Sequence, residues 1–110
     1  MKLPNGDRAN IDRRKVTDYC LSPDHEDGPY RAHVFQSGLG LTLDNADALL
    51  AGLSQAAVAG GAVPGKVDKY GQRYVIDFEF TGPAGAATIR SAWIILVNES
   101  VPRLVTCYML

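Results

Sequence analysis

The stretch from Tyr70 to Val97 limits the fold more than any other part of the chain. Tyr74-Val75-Ile76-Asp77-Phe78-Glu79-Phe80 alternates between two kinds of side chain, the period of a strand with one buried face. Thr81-Gly82-Pro83-Ala84-Gly85 breaks the alternation with turn formers, and Ala87 to Val97 then runs largely apolar. This is the pattern of two antiparallel strands joined by a turn of hairpin length. Tyr74, Ile76, Phe78 and Phe80 share one face, and Val75, Asp77 and Glu79 share the other. The second strand sorts the same way. Ile89, Trp93, Ile95 and Val97 have one parity; Thr88, Arg90, Ala92, Ile94 and Leu96 have the other.

The chain before this stretch reads as helices that cover the apolar side. Residues 1–11 are polar, with Pro4 and Gly6, and make an ordered arm or a loose start rather than a helix. Asp12 suits the cap of a helix beginning at Arg13, with Val16, Tyr19 and Cys20 as its apolar stripe. Ser22-Pro23 stops that helix, and 24–28 form an acidic loop. Pro29 opens a second helix that buries Ala32 and Phe35, and Gly38 is its expected left-handed cap. Thr42 or Asp44 caps a third helix, whose face is Leu49, Leu53, Ala56 and Ala57, widened by Leu50.

Four strands follow: Ala62 to about Lys69, Gln72 to Phe80, Ala86 to Val97, and Arg103 to Leu110. Pro64-Gly65 marks the first as an edge. In the last, strict alternation sets Val105, Cys107 and Met109 against Leu104, Thr106, Tyr108 and Leu110. Short connections favour a meander. The expected class is α+β, with N-terminal helices packed on one face of a four-stranded antiparallel β-meander. It forms one domain over 1–110, with an arm at 1–11, a helical part at 12–61 and a sheet at 62–110.

A net charge of -1 and a pI near 6.0 argue against a general binder of nucleic acid or membrane surfaces, which would be basic. The basic group Arg8, Arg13, Arg14 and Lys15 reads as a solvated face. Cys20 and Cys107 stand in unrelated contexts and read as buried reduced thiols rather than a disulfide. No metal-ligand spacing is present, and neither cofactor nor metal is expected. No secretory leader is visible at the amino end, and the longest apolar run, Ala92 to Val97, is too short to span a bilayer. The expected location is cytoplasmic, with no membrane partner.

The face left bare by the helices carries the candidate chemistry. Asp77 and Arg90 lie on adjacent strands and read as a charged centre or as a cross-strand ion pair. His25, in the loop Ser22-Pro23-Asp24-His25-Glu26-Asp27, has the pKa range of a general acid or base, though a histidine in such a place is more often a solvated loop residue or a helix-end contact. His33 reads as a partly exposed helical residue. Tyr70 and Arg73 frame one end of the face around Gly71, while Thr106 and Tyr108 add hydroxyls from the last strand. Trp93, of the covered parity, belongs to the core.

Several segments together resemble a family. Lys2-Leu3-Pro4-Asn5, Asp18-Tyr19-Cys20-Leu21-Ser22-Pro23-Asp24-His25 and Arg31-Ala32-His33-Val34-Phe35 with Leu39-Gly40-Leu41 are similar to the bacterial domain of unknown function 6883. So are Tyr70-Gly71-Gln72-Arg73-Tyr74-Val75-Ile76-Asp77, Arg90-Ser91-Ala92-Trp93-Ile94 and Pro102-Arg103-Leu104-Val105-Thr106-Cys107-Tyr108, so the likeness spans nearly the whole chain. The resemblance implies a small bacterial protein, alone or as the last module of a polymorphic-toxin-like chain. By analogy it implies a ribonuclease-type fold of the barnase, colicin and RelE kind. Relatives often carry a His-Lys pair after the loop glycine. Here Gly28 is followed by Pro29, Tyr30 and Arg31, so Arg31 stands for the Lys and Tyr30 replaces the His. A tyrosine, with a pKa near 10, is a poor base at neutral pH.

Two functions from different classes follow. In a metal-independent toxin-type ribonuclease, RNA lies on the bare face. Arg90, Arg73 and Arg31 bind phosphate; His25, or failing that Asp77, moves the 2′-OH proton; Tyr70, Thr106 and Tyr108 position the substrate. In a non-enzymatic binding module, the same face meets a small cognate or immunity-like protein or a second copy, with Val75, Ile94 and Leu104 as apolar contacts.

Overall fold

In the computed structural model, which describes residues 1–21 and 28–110, the central hairpin forms and is longer than the alternation alone suggests. The strands are β1 (Ala62–Val67), β2 (Gly71–Gly82), β3 (Gly85–Leu96) and β4 (Arg103–Met109). They form one antiparallel sheet in the order β1-β2-β3-β4. β2 and β3 stay in register from Gly71 opposite Leu96 to Gly82 opposite Gly85, so the turn shrinks to Pro83-Ala84. β1 is the expected edge, with a bulge between Pro64 and Val67.

The helical layer differs in detail from the sequence expectation. Asp12 does cap the next element, its Oδ1 accepting from the Arg14 backbone N–H at 3.0 Å. The principal turn there is a π-helix at Lys15–Cys20 rather than an α-helix. Its wide turn is closed by the Leu21 N–H donating to the Val16 carbonyl at 2.9 Å, and Val16, Cys20 and Leu21 are all buried. Helix α1 (Gly28–Leu39) has Pro29 in its first turn as expected and buries Phe35 and Leu39. Gly38 is not its cap. The helix runs on to Leu39, and the left-handed residue is Gly40, φ +72°. Gly38 instead lies against β4, where an added Cβ would come 2.5 Å from the Met109 side chain.

Thr42 is the cap that the chain uses. Its hydroxyl accepts from the Asp44 N–H, and Asn45 Oδ1 accepts in return from the Thr42 N–H at 2.6 Å. A 3-10 turn at Leu43–Asn45 then leads into α2 (Ala46–Ala59). This helix buries Ala46, Leu49, Leu53, Ala56 and Ala57 against the sheet.

The amino-terminal arm is ordered and ties down both edge strands. The Met1 carbonyl accepts from Ala62 N–H, Lys2 bridges Gly61, and Asn10 makes a parallel bridge with Arg103 at the start of β4. Between these anchors Leu3 is buried and Gly6 packs on the α2 backbone at Ala57.

The core lies between the sheet and these elements. Trp93, Ile76 and Ile89 project into it from the sheet, and Phe35, Leu39, Leu49 and Leu53 from the helices. Ser91, the one buried polar residue among those described, donates from Oγ to the Ile76 carbonyl at 2.8 Å and accepts from Trp93 Nε1–H at 2.9 Å. No buried side-chain nitrogen or oxygen among the described residues lacks a partner.

One parity assignment fails. Ala92 pairs with Thr106 but Trp93 pairs with Leu104, so β4 carries one extra residue, Val105, at a bulge. The bulge turns Leu104 into the core beside Trp93 instead of onto the bare face. Ile94 keeps its expected parity yet is nearly covered, lining a shallow recess of about 250 Å³ with Asp12, Lys15 and Arg103.

Candidate functional site

Opposed residues in an antiparallel pair share a face, so the register sorts the bare side into cross-strand rows. Asp77, Arg90 and Tyr108 form one row. Val63, Val75, Ala92 and Thr106 form the next, and Arg73, Ile94 and Arg103 the one beyond. Rows lie roughly 7 Å apart, two residues along a strand. Glu79 and Thr88 flank the first row, and the Thr88 hydroxyl donates to the Glu79 carboxylate.

The Asp77–Arg90 contact is bidentate. Arg90 Nε and Nη2 donate to Asp77 Oδ1 and Oδ2 at 2.8 and 2.9 Å. Both side chains keep a little over a third of their surface exposed. The hydrogen bonds from Arg90 hold the Asp77 carboxyl below its ordinary range, against the opposing effect of partial burial. Asp77, followed by the Tyr108 hydroxyl, pushes the Arg90 guanidinium upward, so it stays charged. As proton carrier Asp77 is therefore poorly suited: it is ionised at neutral pH and both its oxygens are occupied.

The other arginines of this face are also paired. Arg73 Nε lies 3.4 Å from Asp68 Oδ2. Asp68 Oδ1 accepts from the Tyr70 and Gly71 N–H groups, which with Arg73 lower its pKa. Gly71, φ +153°, takes the turn that a larger residue would resist, since an added Cβ would sit 2.1 Å from the Ile95 carbonyl oxygen. Arg103 grips Glu99 through two hydrogen bonds of 2.7 and 2.6 Å.

The candidate residues thus divide. Asp77, Arg90, Thr106 and Tyr108 come together at the centre of the face. Arg73 sits on the same face, four residues along β2 from Asp77 and roughly 13 Å away. Tyr70 is exposed in the turn beyond it, with Lys69 Nζ 5.2 Å from its ring centroid. Arg31 belongs to α1 in the helical layer, so its backbone lies on the opposite side of the sheet from the Arg90 side chain; its own side chain is outside the described residues. His25 and the rest of 22–27 are likewise outside them. His33 is exposed and Trp93 is core, as expected. Of the basic amino-end residues, Arg13 pairs with Asp47 of α2 and Arg14 with Asp12.

Sequence reasoning missed Asp68, Glu99 and Val63. The first two had a readable signal, an acid five or four residues ahead of an arginine across a turn. Val63 is 64% exposed and extends the apolar row onto β1. Cys20 and Cys107 were set in unrelated contexts, yet their Sγ atoms lie 3.4 Å apart in the core as free thiols.

Among the described residues, no three His, Cys, Asp or Glu side chains gather in a way that could hold a metal ion. No helix among them is long and apolar enough to cross a membrane. Comparison with known proteins gives one match: the family model described as "Domain of unknown function (DUF6883)" covers residues 2–110. No curated protein and no solved structure matches.

Proposed function

This chain belongs to the DUF6883 family, and from that premise we propose that it is a non-enzymatic protein-binding module working through the bare face of its sheet. One observation carries the reading: Arg73, Arg90 and Arg103 each already close on a carboxylate. A phosphate arriving at Arg90 must displace Asp77 from a bidentate contact. Unlike the arginines, the apolar row Val63–Val75–Ala92 is available: Val63 is exposed, and Val75 and Ala92 are half-exposed. An apolar strip rimmed by internally paired charges is the composition of a protein contact, with a dry centre and a polar rim. The partner class is a small folded protein whose apolar patch meets this row.

The competing reading, a metal-independent ribonuclease, needs the same face to supply free cations and a base. The experiment therefore runs both assays on one preparation. Immobilised protein should retain a protein from a lysate of its source organism, and that protein, repurified, should bind wild type at least tenfold more tightly than Val75→Glu. Equal affinity for the variant overturns the reading. So does RNA cleavage that persists in chelator and disappears in Arg90→Ala.

A further inference from the structure

β2 outruns β1. The β1–β2 pairing ends at Ala62 opposite Ile76, while β2 continues beside β3 to Gly82. From Asp77 to Gly82, the edge of β2 turned away from β3 has no strand beside it among the described residues. The hydrogen-bond alternation fixes which groups are bare. The Thr88 carbonyl accepts from Leu110 N–H, on the β4 side, so Thr88 does not bond β2 through that group. Its opposite residue, Glu79, then turns its N–H and C=O outward, and Thr81 does the same two residues on.

The sheet's other edges are blunted. β1 carries Pro64, Lys66 and a bulge. The start of β4 is bridged by Asn10, and its Cys107 carbonyl accepts from the Cys20 thiol. The 77–82 edge has no proline, lysine or bulge. It also opens on a groove. A cleft of about 530 Å³ lies between it and α2, lined by Ala48, Ala51, Gly52 and Gln55 on the helix and by Phe78 and Phe80 on the strand. The small helix residues leave room for a backbone, and the half-exposed phenylalanines floor the cleft.

We infer that this edge binds an extended segment of another protein as an added antiparallel or parallel strand, with apolar residues on the cleft side alternating with basic residues on the bare-face side. Unpaired backbone donors and acceptors call for a strand, not a helix or a small molecule. The charge selects which strand. Glu79, whose carboxylate accepts from the neutral Thr88 hydroxyl, stands on the bare-face side of the edge, and no lysine or arginine lines the cleft. A second copy pairing through the same edge would bring its own Glu79 carboxylate to this one, which opposes self-association here. The site is separate from the Val63–Val75–Ala92 row, and its test needs no protein partner.

The probe is a blocked hexapeptide of alternating valine and lysine, titrated into the uniformly ¹⁵N-labelled full chain. The Glu79 and Thr81 amides should exchange freely in the unbound protein and at least tenfold more slowly at saturation, with shifts confined to β2 and α2. Thr81→Pro removes an outward N–H without touching the β2–β3 ladder. It should weaken the peptide at least tenfold while keeping the melting temperature within a few degrees. A valine–glutamate peptide should bind at least tenfold more weakly than the lysine one. Protection of Glu79 and Thr81 in the free protein, shifts elsewhere, or equal binding of the two peptides would each overturn the inference. Unaltered binding by a folded Thr81→Pro protein would do the same.

Discussion

Arg90 holds both carboxylate oxygens of Asp77 across the β2–β3 pair, at 2.8 and 2.9 Å. Because Arg90 lowers the Asp77 pKa below its ordinary 3.8, the unfolded chain takes up this proton before the folded one does. The pair's contribution is therefore complete above pH 3.8 and fades as the pH falls through the lower folded-state value. Asp77→Asn should lower the melting temperature by less than about 5 °C at pH 7, since water screens a pair this exposed. The gap from wild type should narrow in melts recorded below pH 3.8. A gap that is constant from pH 7 to 3, or that widens in acid, would mean that the pair does not form.

Ser91 is placed to matter more than its size suggests. It is fully buried, and its hydroxyl joins the Ile76 carbonyl to the Trp93 indole. Ser91→Ala strands a buried N–H, a loss of about 1–3 kcal/mol. The melting temperature should fall by roughly 5–20 °C, and near-ultraviolet dichroism of Trp93, the chain's one tryptophan, should change. A stability equal to wild type would show that the indole finds another acceptor.

These two contacts also mark how far the sequence could be read. Asp77 and Arg90 were legible as neighbours because an unbroken two-residue period fixes both parity and register across a hairpin. Leu104 was not, because Val105 is inserted without any glycine or proline to announce a bulge. Gly38 and Gly40 look alike as helix caps, but the left-handed turn falls at Gly40, while Gly38 lies against Met109. The π-helical turn at Lys15–Cys20 has the same residue types as an α-helix and is selected by burying Val16, Cys20 and Leu21 together. The edge at 77–82 was hidden for a different reason: it depends on the β1–β2 register, which shifts between Pro64 and Val67 and sets Ala62, the first residue of β1, opposite Ile76.

The cysteines give a third test. Cys20 and Cys107 meet with both thiols fully buried, and the Cys20 S–H donates to the Cys107 carbonyl oxygen at 3.4 Å. A bulky, charged thiol reagent should modify neither in the native protein and both in denaturant, under reductant-free conditions. Rapid native labelling would show that the π-helical turn opens readily. Absence of titratable thiols after denaturation would show a disulfide in place of the contact.

The bulge supplies the last prediction. With Val105 present, Thr106 faces the bare side opposite Ala92 and Leu104 faces the core opposite Trp93. Removing Val105 makes these two residues consecutive, and consecutive residues in a regular strand already point to opposite faces. The deletion should therefore keep Leu104 on Trp93 and Arg103 opposite Ile94, straightening β4 instead of scrambling it. What is lost is a half-buried valine, about 1 kcal/mol of apolar burial, or a melting temperature lower by about 5 °C. The Trp93 near-ultraviolet signal should persist. A deletion variant that unfolds, or that loses that signal, would show that the extra residue is needed to reach the Asn10 bridge at Arg103, and that the amino-terminal arm, rather than the ladder, sets the register of β4.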